Sequence, residues 1–115
     1  MQLLTVELRA KLVANRGTDN AVPVLKLYNP VGAATWLATE IDGMTLFGLA
    51  DLGFQCPELG YFSLGEIARI HLPFGLRIER DASFKTGRTL SEWAEASRAH
   101  GSVAAAEAIF AGMGR

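Results

Sequence analysis

The stretch from Thr35 to Leu52, TWLATEIDGMTLFGLADL, constrains this chain more than any other part of it. Two runs rich in Thr, Leu, Ile, Phe and Trp flank Asp42-Gly43, a dipeptide that readily supplies the positive φ angles of a two-residue hairpin turn. The spacing predicts two antiparallel strands with Ile41 opposite Met44. Trp36, Ala38 and Glu40 would then share a face with Thr45, Phe47, Leu49 and Asp51. The other face would carry Leu37, Thr39, Ile41, Met44, Leu46 and Ala50. Because both faces are largely apolar, the hairpin belongs at the centre of a sheet, covered on each side rather than lying at a wet edge.

The flanking segments supply the cover. Thr5 followed by VELRAKLVAN reads as an N-cap and a short helix with Leu8, Leu12 and Val13 on one face. Val22 to Tyr28 alternates in the period-two pattern of a strand, and Pro23 marks an edge or a strand start. After the hairpin, GFQCPELGY reads as a loop, since Gly53, Pro57 and Gly60 interrupt any regular pattern. Ser63 and Glu66 fit a capping box that opens a short helix to about Arg69, and Leu76 to Arg80 alternates like a further strand. Thr89 and Glu92 repeat the capping signature before Leu90, Trp93, Ala94 and Ser97, and His100 and Gly101 close that helix. Ser102 caps a last helix with Ala106, Ile109, Phe110 and Met113 at helical spacing. This order predicts one α+β domain over residues 1–115: a mainly antiparallel sheet with helices from both ends of the chain gathered to one side. A length of 115 residues with half of them apolar suits one core.

The opening MQLLTVELRAKL is broken by Glu7, Arg9 and Lys11 and has no cysteine to acylate, so neither export nor lipid anchoring is expected. No stretch approaches the roughly 18 apolar residues of a membrane span. Cys56 is the only cysteine, which rules out an internal disulfide or a thiolate metal cluster and fits a reducing, cytoplasmic setting. The net charge of −1 is far from that of a strongly basic nucleic-acid binder. Its distribution is uneven. Between Thr35 and Glu66 stand five acids (Glu40, Asp42, Asp51, Glu58, Glu66) and no lysine or arginine. If the fold gathers these acids, their surface favours basic partners.

The candidate binding loop is residues 48–60 with its flanks, where Asp51, Cys56, Glu58 and Tyr61 follow directly from a buried strand. Asp51 and Glu58 there could serve as an acid–base pair, or simply be solvated or cap backbone amides. Cys56 precedes proline, has no neighbour in sequence to lower its pKa, and reads as a small buried apolar residue. His71 near a turn and His100 at a helix end have ordinary structural explanations. Glu79 and Asp81 alternate with Arg80, as on a solvated strand face. The run Arg77, Arg80, Lys85 and Arg88, with Phe84 among them, offers phosphate contacts and a stacking ring for single-stranded DNA. Trp36 and Trp93 read as core. No metal-ligand spacing and no phosphate-binding glycine loop is present, so neither a metal nor a cofactor is expected. The Ala106, Ile109, Phe110, Met113 stripe allows a monomer or, if left uncovered, a homodimer.

Four segments, LLTVELRAKLVAN, PVLKLYNPVGAATWLATE, TLFGLADLGFQCPELGYFSLGEI and LPFGLRIERDASF, together resemble an uncharacterised bacterial family often encoded on plasmids and integrating elements. The resemblance spans most of the chain and implies a cytoplasmic protein carried with mobile-element genes. It supplies no activity and no catalytic residues. Some such proteins have been labelled lipoproteins, a label that this cysteine-free N-terminus does not fit. Together with the acidic segment, it points to an accessory module that binds a protein partner. A small enzyme using the carboxylates of the 48–60 loop, or a weak single-stranded DNA binder, are the alternatives.

Overall fold

A computed structural model describes residues 3–113. Nine residues from Val6 to Ala14 form α1, opened by the Thr5 hydroxyl, which accepts the Leu8 N–H. The sheet is built from β1 (Leu25–Tyr28), β2 (Thr35–Asp42), β3 (Thr45–Asp51), β4 (Glu58–Ser63) and the short β5 (Glu79–Arg80). Its order is β4-β3-β2-β1-β5, with each neighbouring pair antiparallel. Between β4 and β5 come α2 (Leu64–Ala68) and a turn of 3-10 helix at Pro73–Gly75, and after β5 come α3 (Leu90–His100) and α4 (Val103–Gly112). Thr89 and Glu92 cap α3 reciprocally, and Gly101 ends it in the left-handed conformation at φ 91°. The fold is therefore the expected α+β domain with an antiparallel sheet, a central hairpin and helices from both ends of the chain.

The helices do not gather on one side. Trp36, Ala38, Ile41 and Leu46 pack with Leu12 of α1 and with Leu64 and Ile67 of α2. Leu37 and Leu49 pack instead with Leu90, Trp93 and Ala94 of α3 and Val103, Ala106 and Phe110 of α4. Trp36 and Leu37 are consecutive strand residues, so they point to opposite faces, and each face has its own apolar cover. Both tryptophans are core, as expected. Phe110 and Ala106 are likewise spent on this core, while Ile109 and Met113 of the same stripe and Val13 of α1 stay exposed.

The hairpin forms, but its register differs from the expected one. Asp42 pairs with Thr45 and Ile41 with Leu46, so the reversal falls on Gly43 and Met44 rather than on Asp42 and Gly43. Gly43 at φ 63° supplies the positive φ, Arg9 donates to its carbonyl at 3.1 Å, and Arg16 lies 3.6 Å from the Asp42 carboxylate. Farther from the turn the register jumps from Glu40↔Phe47 to Ala38↔Gly48, leaving Thr39 as a bulge. Thr39 is anchored by its carbonyl, which accepts the Asn15 side-chain amide at 3.0 Å. The bulge lets Ala38 and Ile41, three residues apart, face the same cluster. As a result Trp36 and Ala38 share a face with Leu46, Gly48 and Ala50. Of the predicted groupings, Glu40 stays with Phe47 and Ile41 with Leu46 and Ala50, while Trp36 and Ala38 part from Phe47 and Leu49.

Two other expectations are corrected. The Val22 to Tyr28 strand is confined to β1, and of Leu76 to Arg80 only Glu79 and Arg80 join the ladder. More consequentially, the second half of GFQCPELGY is strand, because β4 starts at Glu58 and pairs with β3 from Ala50↔Glu58 to Thr45↔Ser63. Gly60 hid this strand in the sequence; it sits opposite Gly48, where the ladder needs no side chain.

Gly48 is the tightest point of the sheet. A Cβ there would collide with the Leu37 carbonyl oxygen and lie 2.8 Å from Ala38 Cα, whereas one on Gly60 would meet nothing within 4 Å. Gly48→Ala is therefore expected to destabilise the domain by about 3 kcal/mol, the upper end of overpacking effects, and Gly60→Ala to stay within about 0.5 kcal/mol of the parent. Urea unfolding of both variants checks the contrast.

Candidate functional site

Asp51 ends β3 and is 1% exposed. Its Oδ1 accepts the Gly53 N–H at 3.0 Å, and its Oδ2 accepts the Val103 N–H at 2.9 Å in the first turn of α4. The carboxylate thus satisfies an otherwise orphaned helix amide and sits at the positive end of the α4 dipole. Glu58 stands opposite Ala50 in the ladder. It therefore projects from the other face of the sheet, exposed, where it accepts the Cys56 thiol at 3.6 Å. Asp51 and Glu58 do not form an acid–base pair. Of the readings left open for Asp51, the geometry gives amide capping.

The loop between β3 and β4 is short, and Cys56 within it is exposed rather than buried. Gly53 at φ 90° and Gln55 at φ 61° turn the chain outward here, which carries Phe54 and Cys56 away from the core. Pro57 is anchored, its carbonyl accepting Arg98 Nε at 3.4 Å. His71 and His100 are both exposed. Among the described residues, no three His, Cys, Asp or Glu side chains gather into a set that would hold a metal ion.

The basic run does not form one surface. Arg77 donates to the Ala68 carbonyl, Arg80 to the Leu3 carbonyl, and Arg88 pairs with Glu92 while stacking 4.7 Å from the Phe110 ring centre. Lys85 lies apart, on the rim of a cleft with Phe84. Glu79 accepts the Tyr28 hydroxyl at 3.1 Å, and this bond, with burial and the nearby carboxylates, pushes the Tyr28 pKa up. Asp81 joins Glu107 around Lys26, at 3.4 and 2.7 Å from Nζ, and so ties β1 and the segment after β5 to α4.

What the structure does assemble lies along β4, an edge strand. The Leu64 N–H donates to the Met44 carbonyl at 2.9 Å. By strict alternation, Leu59, Tyr61 and Ser63 then turn their backbone amides and carbonyls away from β3. Tyr61 is 74% exposed and Leu59 42% exposed. Tyr61 packs on Phe47 with ring centres 5.0 Å apart, and Phe47 in turn lies opposite Glu40 on β2. Glu40, Phe47 and Tyr61 form a row across three strands, in which Phe47 also packs against the cluster under α3 and α4 and Tyr61 stays exposed. Glu58 begins the strand, and Glu66 follows it on α2. None of Glu40, Glu58 and Glu66 is in an ion pair among the described residues. Of the sequence candidates, Glu58 and Tyr61 belong to this edge; Phe47, Leu59 and Glu40 were missed as a surface. The alternation of Leu59 and Tyr61 was a signal for it, obscured by Pro57 and Gly60.

Fold and site together define a small α+β domain with both sheet faces covered and one acidic, aromatic sheet edge left open. A family model described as a protein of unknown function, DUF2958, matches residues 3–104, and the chain belongs to that family. Neither the curated proteins nor the solved structures gave a significant match. No helix of the described residues is long and apolar enough to cross a membrane.

Replacing Asp51 by Ala strands the Val103 amide and is expected to destabilise the domain by about 3 kcal/mol in urea unfolding, with Asp51→Asn intermediate because one acceptor oxygen survives. A pH dependence follows from Asp81. Burial works against its charge, but the Ser83 hydroxyl and N–H, followed by Lys26, outweigh it and hold its pKa below the ordinary 3.8. A carboxyl lowered in the folded state contributes stability above its unfolded pKa and loses it as pH falls through the folded value. Ser83→Ala should therefore flatten the fall in stability below about pH 4, the unfolded carboxyl range, as read from thermal melts across pH.

Proposed function

We propose that this protein is a non-enzymatic accessory module that binds a protein partner by taking an extended segment of it as a sixth strand along β4. The observation that carries this reading is the open edge itself. Leu59 and Tyr61 offer unpaired backbone groups and exposed apolar side chains together. Strand addition gains affinity from main-chain hydrogen bonds and specificity from alternate side chains. Edges not meant for pairing are blunted by lysines, prolines or bulges, and β4 has none of these between Glu58 and Ser63. The unpaired Glu40, Glu58 and Glu66 set the partner's charge: they favour a segment that alternates apolar with basic side chains and disfavour a second acidic edge. The likeness to proteins encoded on plasmids and integrating elements supports a bacterial cytoplasmic setting beside mobile-element products.

The test uses short peptides that alternate apolar residues with either lysine or glutamate, titrated by fluorescence anisotropy. The lysine series should bind and the glutamate series should not. Hydrogen exchange should slow at the Leu59 and Tyr61 amides on binding. Tyr61→Ala should weaken binding about tenfold or more while costing only the roughly 1 kcal/mol of its pairing with Phe47 in stability. Equal binding of both series, or exchange protection elsewhere on the sheet, would exclude the β4 edge.

A further inference from the structure

Helical spacing sets which side chains of α1 and α2 meet. Residues three and four apart share a face and residues two apart do not, so Val6 and Arg9 look toward α2 and Leu64 and Ala68 look back, while the exposed Glu7 and Glu66 turn away. With Leu3, Leu4, Thr5 and Met44 these four line a groove of about 430 Å³, within the roughly 300–1,000 Å³ that small-ligand sites occupy. Its lining is apolar apart from Thr5 and Arg9, and no carboxylate belongs to it. The Thr5 hydroxyl is spent on the Leu8 N–H. Leu3, Leu4 and Leu64 are buried and make the floor, whereas Val6, 85% exposed, and Met44, 52% exposed, stand at the rim. Apolar side chains left open around a concave surface mark a place where something apolar binds.

The charge at this groove is of one sign and sits at one end. Arg9 Nη1 donates to the Gly43 carbonyl at 3.1 Å, a bond that holds the guanidinium at the hairpin turn without exhausting its five N–H donors. Arg69 reaches the same end, because a Cβ built on Gly65 would lie 3.5 Å from Arg69 Nη1 and 3.7 Å from Met44 Cε. Neither arginine takes part in an ion pair among the described residues, and Asp42, next to the turn, faces Arg16. Ala68 and Leu3 also line an adjoining crevice over Ile78, whose Arg77 donates to the Ala68 carbonyl at 3.2 Å. The apolar surface is therefore extended, with its cationic head at the turn. A peptide laid along it would meet no polar side chain of the lining beyond Arg9 and the engaged Thr5, so its amides and carbonyls would be desolvated at a cost. An aliphatic chain carries no such groups, and a carboxylate at its end matches a guanidinium by charge and by shape. The groove between α3 and α4 has the opposite character, being lined by Glu92 and Glu95.

We propose that this groove binds a free fatty acid, with Arg9 and Arg69 holding the carboxylate and Met44, Leu64, Ala68 and Leu3 receiving the chain. Titration of the nitrogen-15-labelled full chain with decanoate, kept below its micelle-forming concentration, should shift the amides of Val6, Arg9, Met44 and Ala68 and leave Tyr61 unmoved. Decanol, which has the chain without the charge, and acetate, which has the charge without the chain, should each bind at least about tenfold more weakly. Arg9→Gln and Arg69→Gln should each weaken decanoate by about the same factor and leave decanol unchanged. Arg69→Gln breaks no hydrogen bond of its side chain to the rest of the described residues, so it keeps the test intact if loss of the Gly43 contact unsettles Arg9→Gln. Val6→Ser, at the rim, should weaken decanoate and decanol alike, and Tyr61→Ala should bind decanoate as the parent does, which separates this site from the β4 edge. Equal affinity for decanoate and decanol, full decanoate affinity in both arginine variants, or no shift at the four amides would overturn the assignment. So would a response to phosphatidylglycerol vesicles or to an acidic amphipathic helical peptide with none to decanoate, which would give the groove to a membrane or to a protein.

Discussion

The whole domain depends on a hairpin that is apolar on both faces. Burying Trp36 on one side and Leu37 on the other requires two separate covers: α1 near the start of the chain and α2 from its middle form the first, α3 and α4 the second. Each fully buried aliphatic side chain contributes on the order of 1.5–3 kcal/mol relative to an exposed one, so neither cover is dispensable to a domain of this size. The Thr39 bulge and the bare backbone of Gly48 adjust the strands to this double packing. They rotate Ile41 into line with Ala38 and let β2 and β3 approach closely.

Polar contacts then fix how the covers sit. Asp51 links the end of the central strand to the first turn of α4, and Lys26 gathers Asp81 and Glu107 to hold the middle of that helix against β1 and the segment after β5. Asn15 ties α1 to the bulge. These bonds join the two layers to one sheet, and they use up charged groups that would otherwise look chemically available. With Asp51 and Asp81 committed to structure, the carboxylates outside any ion pair among the described residues include Glu40, Glu58 and Glu66 around β4.

The parts of this fold that the sequence made legible are those governed by local chemistry. Thr5, Ser63, Thr89 and Ser102 announce helix starts because a side-chain oxygen must satisfy a free amide, and each lies within a residue or two of where it was read. The hairpin was legible from Gly43 and the β-rich runs around it, and Trp36 and Trp93 as core from their apolar settings. The register was not, because a one-residue shift at the turn and a bulge at Thr39 are decided by which side chains fit against α1 and α3. Cys56 was misread for a similar reason. Its neighbours suggested an apolar interior, but Gly53 and Gln55 in the left-handed region throw that loop into solvent.

For the candidate site the division is sharper. The sequence by itself determined one α+β domain, a hairpin apolar on both faces and a central run of acids without a compensating base. Those follow from periodicity and charge, which need no knowledge of distant contacts. Only the tertiary structure decided that Asp51 is a buried cap while Glu58 is exposed, and that Leu59 and Tyr61 lie on an unpaired edge. Each of these depends on which strand ends up outermost and on which side of a pleat a residue falls, quantities set by long-range packing rather than by neighbours in the chain.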